Sequence, residues 1–141
     1  MRYAFLVNAV RFPRVVYRIH HPPPGTVASP LWGDLQQFQH DIFMFVEKNF
    51  RGDCSVEMLA KQMGYSENYL SRYFMKAIGI SFHSYVTQYR LEHVCHLMRN
   101  TNEPILRCAM DCGFASLRSF NRNFGLYIGM TPTEYRERMN V

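Results

Sequence analysis

The sequence states one pattern twice. Ala60-(x3)-Gly64-Tyr65 returns 49 residues later as Ala109-(x3)-Gly113-Phe114, and Ser66-(x3)-Leu70-Ser71-Arg72-Tyr73-Phe74 returns 50 residues later as Ser116-(x3)-Phe120-Asn121-Arg122-Asn123-Phe124. The offset slips by one inside the turn. Each copy reads as a short apolar helix, a glycine-centred corner and a second helix whose apolar residues face inward while its early polar residues face out. That is the layout of a helix-turn-helix. Two copies are too few for a solenoid, so the repeat directs the chain to an all-α architecture of two such units.

The segments around the repeat fit that architecture. From Asp34 the apolar spacing is helical to the end: Leu35, Phe38, Ile42, Phe45 and Val46 form one stripe, with Asp34 as the expected cap of a lead helix. Residues 55–77 form the first helix pair, turned at Gly64, which suits a left-handed helix end. Residues 81–99 read as one long bridging helix. It carries Tyr85, Val86, Tyr89 and Leu97 on one side and Leu91, Val94, Cys95 and Met98 on another, so it needs two partners to pack against. The second pair spans 104–127, opened by Asn102 as cap with Glu103 at the positive helix end. Thr131-Pro132-Thr133-Glu134 then starts a short final helix, with threonine as cap, proline first and glutamate three after the cap.

Residues 1–33 differ in kind. They contain Arg2, Arg11, Arg14 and Arg18 and no acid, a strand-like Val15-Val16-Tyr17, and three consecutive prolines at Pro22–Pro24 that favour an extended linker. The expectation is a mostly irregular tail or the remnant of a missing domain. This segment also holds most of the net charge of +5, leaving 12 basic residues against 11 acids from Asp34 onward. Net charge alone therefore identifies no nucleic-acid partner, and the electrostatic argument must rest on where the arginines lie.

Other chemistries find little support. Of Cys54, Cys95, Cys108 and Cys112, three sit where the helical pattern asks for a small apolar residue, which fits free buried thiols in a reducing cytoplasm better than disulfides. His93, Cys95 and His96 cluster, and Cys108 and Cys112 are one helical turn apart. Cys108 and Cys112 match Leu59 and Met63 of the first copy, however, and no close Cys or His pair of zinc spacing accompanies them. No metal or cofactor is expected. A Ser/His/Asp arrangement, a phosphate-cradling glycine loop and a paired-carboxylate motif are all missing from the sequence, so no enzyme is expected either. No apolar run approaches the length of a membrane span, since Tyr3–Val10 is interrupted by Asn8 and closed by Arg11.

The chemistry that remains lies on the second helix of each pair. With Ser66 and Ser116 as caps, the first turns expose Asn68, Ser71 and Arg72 in one copy and Arg118, Asn121 and Arg122 in the other, both spaced i, i+3, i+4. Leu70 and Phe74, or Phe120 and Phe124, point the opposite way and anchor each helix. A recognition helix enters the major groove with its N-terminal half, so these stripes are candidate base readers. Arginine can bond guanine O6 and N7 together, and asparagine can do the same for adenine N6 and N7. Ser66 and Ser116, with the free amides of the helix starts, suit phosphate oxygens. Leu117 could touch a thymine methyl. Glu67, at the equivalent position, could serve only the helix start. The opposing reading leaves Arg72 and Arg122 solvated or paired with an acid, the usual state of helix arginines, but arginine recurs at one repeat position.

The stretch from about Asp34 to Met139 resembles the DNA-binding domain of the AraC/XylS family of bacterial transcription regulators. In the first half the resemblance is carried by Leu59-Ala60, Gly64-Tyr65-Ser66, Tyr69–Phe74, Gly79-Ile80-Ser81, Tyr85 and Arg90. In the second it is carried by Asn102-Glu103-Pro104-Ile105, Cys108-Ala109, Cys112-Gly113-Phe114, Phe120–Phe124, Gly129–Pro132 and Tyr135-Arg136. The resemblance implies two homeodomain-like helix-turn-helix subdomains joined by a long central helix. It also implies an asymmetric site on double-stranded DNA spanning two successive major grooves, and activation through contact with RNA polymerase. Family members commonly carry an effector or dimerisation domain upstream. The first 33 residues are too short for one, so no small-molecule effector domain is evident and the chain looks like a stand-alone or truncated member. Leu117 and Arg118 stand where polar residues are common in the family. The competing function is a protein-interaction module that folds in this way but does not find its own DNA site.

Overall fold

A computed structural model of the chain describes residues 30–140, with side chains from residue 37 onward. The expectations for the proline-rich segment and for Val15-Val16-Tyr17 lie outside the described residues. The described chain is all-helical. Its elements are α1 Pro30–Asn49, α2 Val56–Met63, α3 Glu67–Tyr73 continued by a π-helical turn Phe74–Ile78, α4 Phe82–Asn100, α5 Ile105–Asp111, α6 Leu117–Ile128 and α7 Pro132–Met139. In chain order, one helix-turn-helix pair, α2–α3, precedes the long helix α4 and the other, α5–α6, follows it, as the repeat requires.

Helix starts follow from local chemistry, with two corrections. Ser55, Ser66 and Ser116 each cap a helix, their hydroxyls accepting from the amides of Met58, Tyr69 and Ser119. Thr131 and Glu134 form a reciprocal capping box with Pro132 at the first helical position. Asp34 does not cap α1, because that helix already begins at Pro30. Asn102 does not cap α5 either: Pro104 occupies the cap position and offers no side-chain bond. The chain leaving α4 is instead held by Thr101, whose hydroxyl donates to the Leu97 carbonyl at 2.7 Å and accepts from the Glu103 amide at 3.4 Å.

The described residues divide into two compact units, and the division falls inside α4 between Tyr85 and Val86. The first unit holds α1, residues 54–81 and the first turn of α4. Ile42, Phe45 and Val46 of the lead-helix stripe are buried there, as are Leu59, Leu70 and Phe74. Phe74 packs edge-on against Phe82 at 5.1 Å and, tilted, against Tyr85 at 5.8 Å between ring centroids. The second unit takes Phe50–Asp53 together with the chain from Val86 onward. Its aromatic spine runs from Phe114 through Phe120 and Phe124 to Tyr135, successive centroids 5.2, 5.4 and 5.6 Å apart. Cys95, Cys108 and Cys112 are buried free thiols, as their apolar positions anticipate.

In α4 the two apolar sides expected from spacing are both buried, apart from the half-buried Leu97. One residue breaks the pattern. Glu92 lies at i+7 from Tyr85 and i+3 from Tyr89 and is 4% exposed, with its Oε1 lacking a hydrogen-bond partner among the described residues.

Candidate nucleic-acid interface

The geometry of each second helix begins at its serine cap. Ser66 Oγ accepts from Tyr69 N and Ser116 Oγ from Ser119 N, both at 3.1 Å, so the helix starts of α3 and α6 are built alike. Each serine keeps its own hydroxyl proton for an outside acceptor, and the remaining first-turn amides have no intrahelical acceptor. Leu70 and Phe74, like Phe120 and Phe124, are completely buried. That inward pair fixes the rotation of each helix and turns the opposite stripe out.

All nine sequence-derived site residues lie on the exposed surface: Ser66, Asn68, Ser71 and Arg72 on the first helix-turn-helix, and Ser116, Leu117, Arg118, Asn121 and Arg122 on the second. Within each unit they form one continuous ridge at the N-terminal half of the second helix. The ion pairs among the described residues are Lys61–Glu57, Arg107–Glu103 and Arg107–Asp111, so none engages Arg72, Arg118 or Arg122. Among the described residues, the usual pairing of a helix arginine with an acid is therefore not made at these three positions.

The two ridges differ in ways the repeat does not show. Tyr65 and Phe114 follow equivalent glycines, but Tyr65 is 45% exposed and Phe114 only 6%. Tyr65 stacks on the exposed Tyr69 with centroids 5.1 Å apart, and both rings meet Phe38 of α1 edge-on. Tyr73 joins the same cluster and receives a hydrogen bond from Gln39 at 3.0 Å. Burial raises the Tyr73 phenol above its ordinary pKa. Among the described residues the second copy has no such aromatic collar. There Asn123, at the position of Tyr73, turns back to donate to the Ser119 carbonyl at 2.9 Å, which removes it from the exposed ridge.

Sequence reasoning missed a contact behind the second ridge. Arg90 of α4 donates from Nε to the Phe50 carbonyl at 2.6 Å and from Nη2 to the Gly52 carbonyl at 2.8 Å. A charged side chain between Tyr89 and Leu91 was the available signal. Its partners are main-chain oxygens some 40 residues away, which no spacing encodes. No group of three or more His, Cys, Asp or Glu side chains among the described residues is placed to hold a metal ion. No helix among them is long and apolar enough to cross a membrane.

Paired helix-turn-helix units with exposed, arginine-bearing second helices define a class of nucleic-acid-binding fold, and comparison with known proteins identifies the family. A family model described as a helix-turn-helix domain matches residues 59–138. The chain is 31% identical over 104 residues to the regulatory protein SoxS of Escherichia coli K12, covering 74% of this chain and 97% of that protein. It is 35% identical over 92 residues to an uncharacterized HTH-type transcriptional regulator of Staphylococcus aureus strain COL; this match covers 65% of the chain but only 12% of that larger protein. Among solved structures, a transcriptional regulator from Chromobacterium violaceum with an AraC-type DNA-binding domain shares the fold. Its TM-score is 0.69 at 24% identity, covering 76% of this chain and 96% of that one. The chain belongs to the AraC/XylS family of helix-turn-helix transcriptional regulators.

Proposed function

We propose that this chain binds double-stranded DNA sequence-specifically through residues 34–141 and activates transcription, reading two successive major grooves with α3 and α6. The observation that carries this reading is the pair of exposed ridges. Two helices with the same serine cap and the same buried anchors each present polar side chains at i, i+3, i+4, and their arginines are unpaired among the described residues.

In this reading Arg72, Arg118 and Arg122 bond guanine edges, Asn68 and Asn121 bond adenine, Ser71 adds a hydroxyl, and Leu117 touches a thymine methyl. Ser66 and Ser116 hold phosphate oxygens with the neighbouring amides. One chain then covers grooves about 34 Å apart, one helical turn, without needing a palindrome. Because Asn68-Ser71-Arg72 differs from Arg118-Asn121-Arg122, the two half-sites differ in sequence.

Selection of duplexes from a random pool tests the reading. It should yield one asymmetric site with two conserved blocks a helical turn apart. Failure to enrich any sequence would favour the second reading, a protein-interaction module, which the near balance of charge from Asp34 onward supports. RNA polymerase is the proposed protein partner, and transcription from a template bearing the selected site, with and without this chain, tests activation.

A further inference from the structure

The corner of the second helix-turn-helix is held from outside by a clasp with no counterpart in the first copy among the described residues. Gly113 adopts φ +98°, and a Cβ at this position would stand 2.3 Å from the Phe50 carbonyl oxygen, 2.9 Å from Arg90 Nε and 3.1 Å from Arg51 Cα. The corner backbone therefore lies directly on the Phe50–Gly52 segment. That segment has its own fastening. Arg90 bonds the Phe50 and Gly52 carbonyls in a two-pronged grip, and the Phe50 ring stacks on His93 with centroids 4.4 Å apart. Gly64, the matching glycine of the first copy, has nothing within 4 Å of its hypothetical Cβ.

Three residues beyond Gly113 stands Ser116, the cap of α6. The buried Phe120 and Phe124 fix the rotation of α6, but they leave its N-terminal end to be placed by the turn that feeds it. We propose that Arg90 is a positioning residue for the second recognition helix: by clamping the Phe50–Gly52 backbone beneath Gly113, it sets where the start of α6, and with it Arg118 and Asn121, is presented to DNA. Arg90 itself need not touch a base. The inference rests on the DNA-binding reading for its specificity consequence, whereas the clasp can be tested without DNA.

The planar guanidinium reaches two carbonyls at once; lysine supplies one point charge and cannot reproduce that fork. In the full 141-residue chain, Arg90→Gln should reduce base discrimination in the second half-site by about tenfold or more, the scale of a lost base contact. Discrimination in the first half-site should stay within about twofold, since contacts distant from a change are usually additive with it. Arg90→Lys should fall between. Equal loss in both half-sites, or no loss in either, overturns the proposal.

Amide hydrogen exchange supplies the arm that needs no duplex. Arg90→Lys, the gentler variant should Arg90→Gln fail to fold, should accelerate exchange at residues 113–120 while leaving residues 66–74 as in the parent. Unchanged protection at 113–120 overturns the clasp. If the parent protein enriches no duplex but the exchange pattern is as expected, the DNA-binding reading fails and the positioning of α6 by Arg90 stands.

Discussion

Glu92 and His93, consecutive residues of α4, are pushed by burial in opposite directions: the carboxyl up to about 7 and the imidazole down to about 4. For Glu92 desolvation outweighs the attraction of Arg99. For His93 desolvation leads, and the positive charge of Arg51 adds to it. The unfolded chain releases the Glu92 proton near 4.5 and takes one up on His93 near 6.5. The stability associated with a protonated Glu92 is thus complete below pH 4.5 and lost as pH rises through about 7. That associated with a neutral His93 is complete above 6.5 and lost as pH falls toward 4.

Between pH 4.5 and 6.5 the two slopes oppose each other, so this pair leaves stability nearly flat there. Glu92→Gln should break the balance. The variant should gain as much as about 3 kcal/mol over the parent at pH 7.5, because it no longer buries a carboxylate. Below pH 6.5 it should lose about 1–2 kcal/mol on acidification, the His93 share discounted for its partial exposure. Urea unfolding midpoints from pH 4 to 8 read both effects, and a variant profile parallel to the parent's would contradict this account.

Glycines at three places should respond differently to alanine. Gly64 has φ +75° with open space around it, so Gly64→Ala costs only the left-handed strain of an L-residue, about 1–2 kcal/mol. Gly113→Ala adds collision with a main-chain carbonyl and should cost about 2–5 kcal/mol. Gly125 lies within α6, and its Cβ would meet nothing within 4 Å. Gly125→Ala should therefore stabilise the chain by about 0.5–1 kcal/mol through helix propensity. Thermal unfolding of the three variants checks the order; a Gly113→Ala no worse than Gly64→Ala would show that the corner does not press on Phe50.

The fold was legible because it repeats. Two copies of serine, buried aromatic or leucine, and glycine at fixed offsets specify caps, inward faces and corners independently, and each was found where the spacing put it. The exposed ridges followed, since burying Leu70, Phe74, Phe120 and Phe124 leaves their opposite faces outward. What spacing could not give was contact at long range. The start of α1 differs from the spacing's expectation because Asp34 has the chemistry of a cap, yet it lies inside a helix that already begins at Pro30. Asn102 failed for a similar reason: Pro104 already sets an extended backbone before α5. Glu92 was readable as a member of the Tyr85–Tyr89 face by position, but its charge argued against burial. The one-residue slip in the turn gave no sign that Phe114 enters the core while Tyr65 remains outside.

The cysteines make a simple chemical prediction. Burial raises the Cys95 and Cys112 thiols to about 12, far from the thiolate that reacts with disulfide reagents. Cys108 is only 1% exposed. Native protein treated with an aromatic disulfide reagent at pH 8 should release rapidly no more than one equivalent, from the partly exposed Cys54, and the other three only after unfolding. Rapid reaction of three or four thiols under native conditions would mean that the core of the second unit opens readily.

Arg72 and Arg122 occupy the same place in the two copies, both exposed and both outside the ion pairs of the described residues. If each reads a base through its two-pronged guanidinium, Arg72→Ala and Arg122→Ala should each cost about 1–3 kcal/mol of binding and relax preference in one half-site only. An arginine that holds a phosphate instead would weaken all sequences alike and lower the salt slope by about one. The charge from Asp34 onward is nearly balanced, so the parent's salt dependence should be shallower than that of a strongly basic binder. Competition titrations with duplexes altered in one half-site at a time, repeated at two salt concentrations, separate base reading from backbone holding for each arginine. A variant whose loss is uniform across sequences moves that arginine from the base edge to the phosphate.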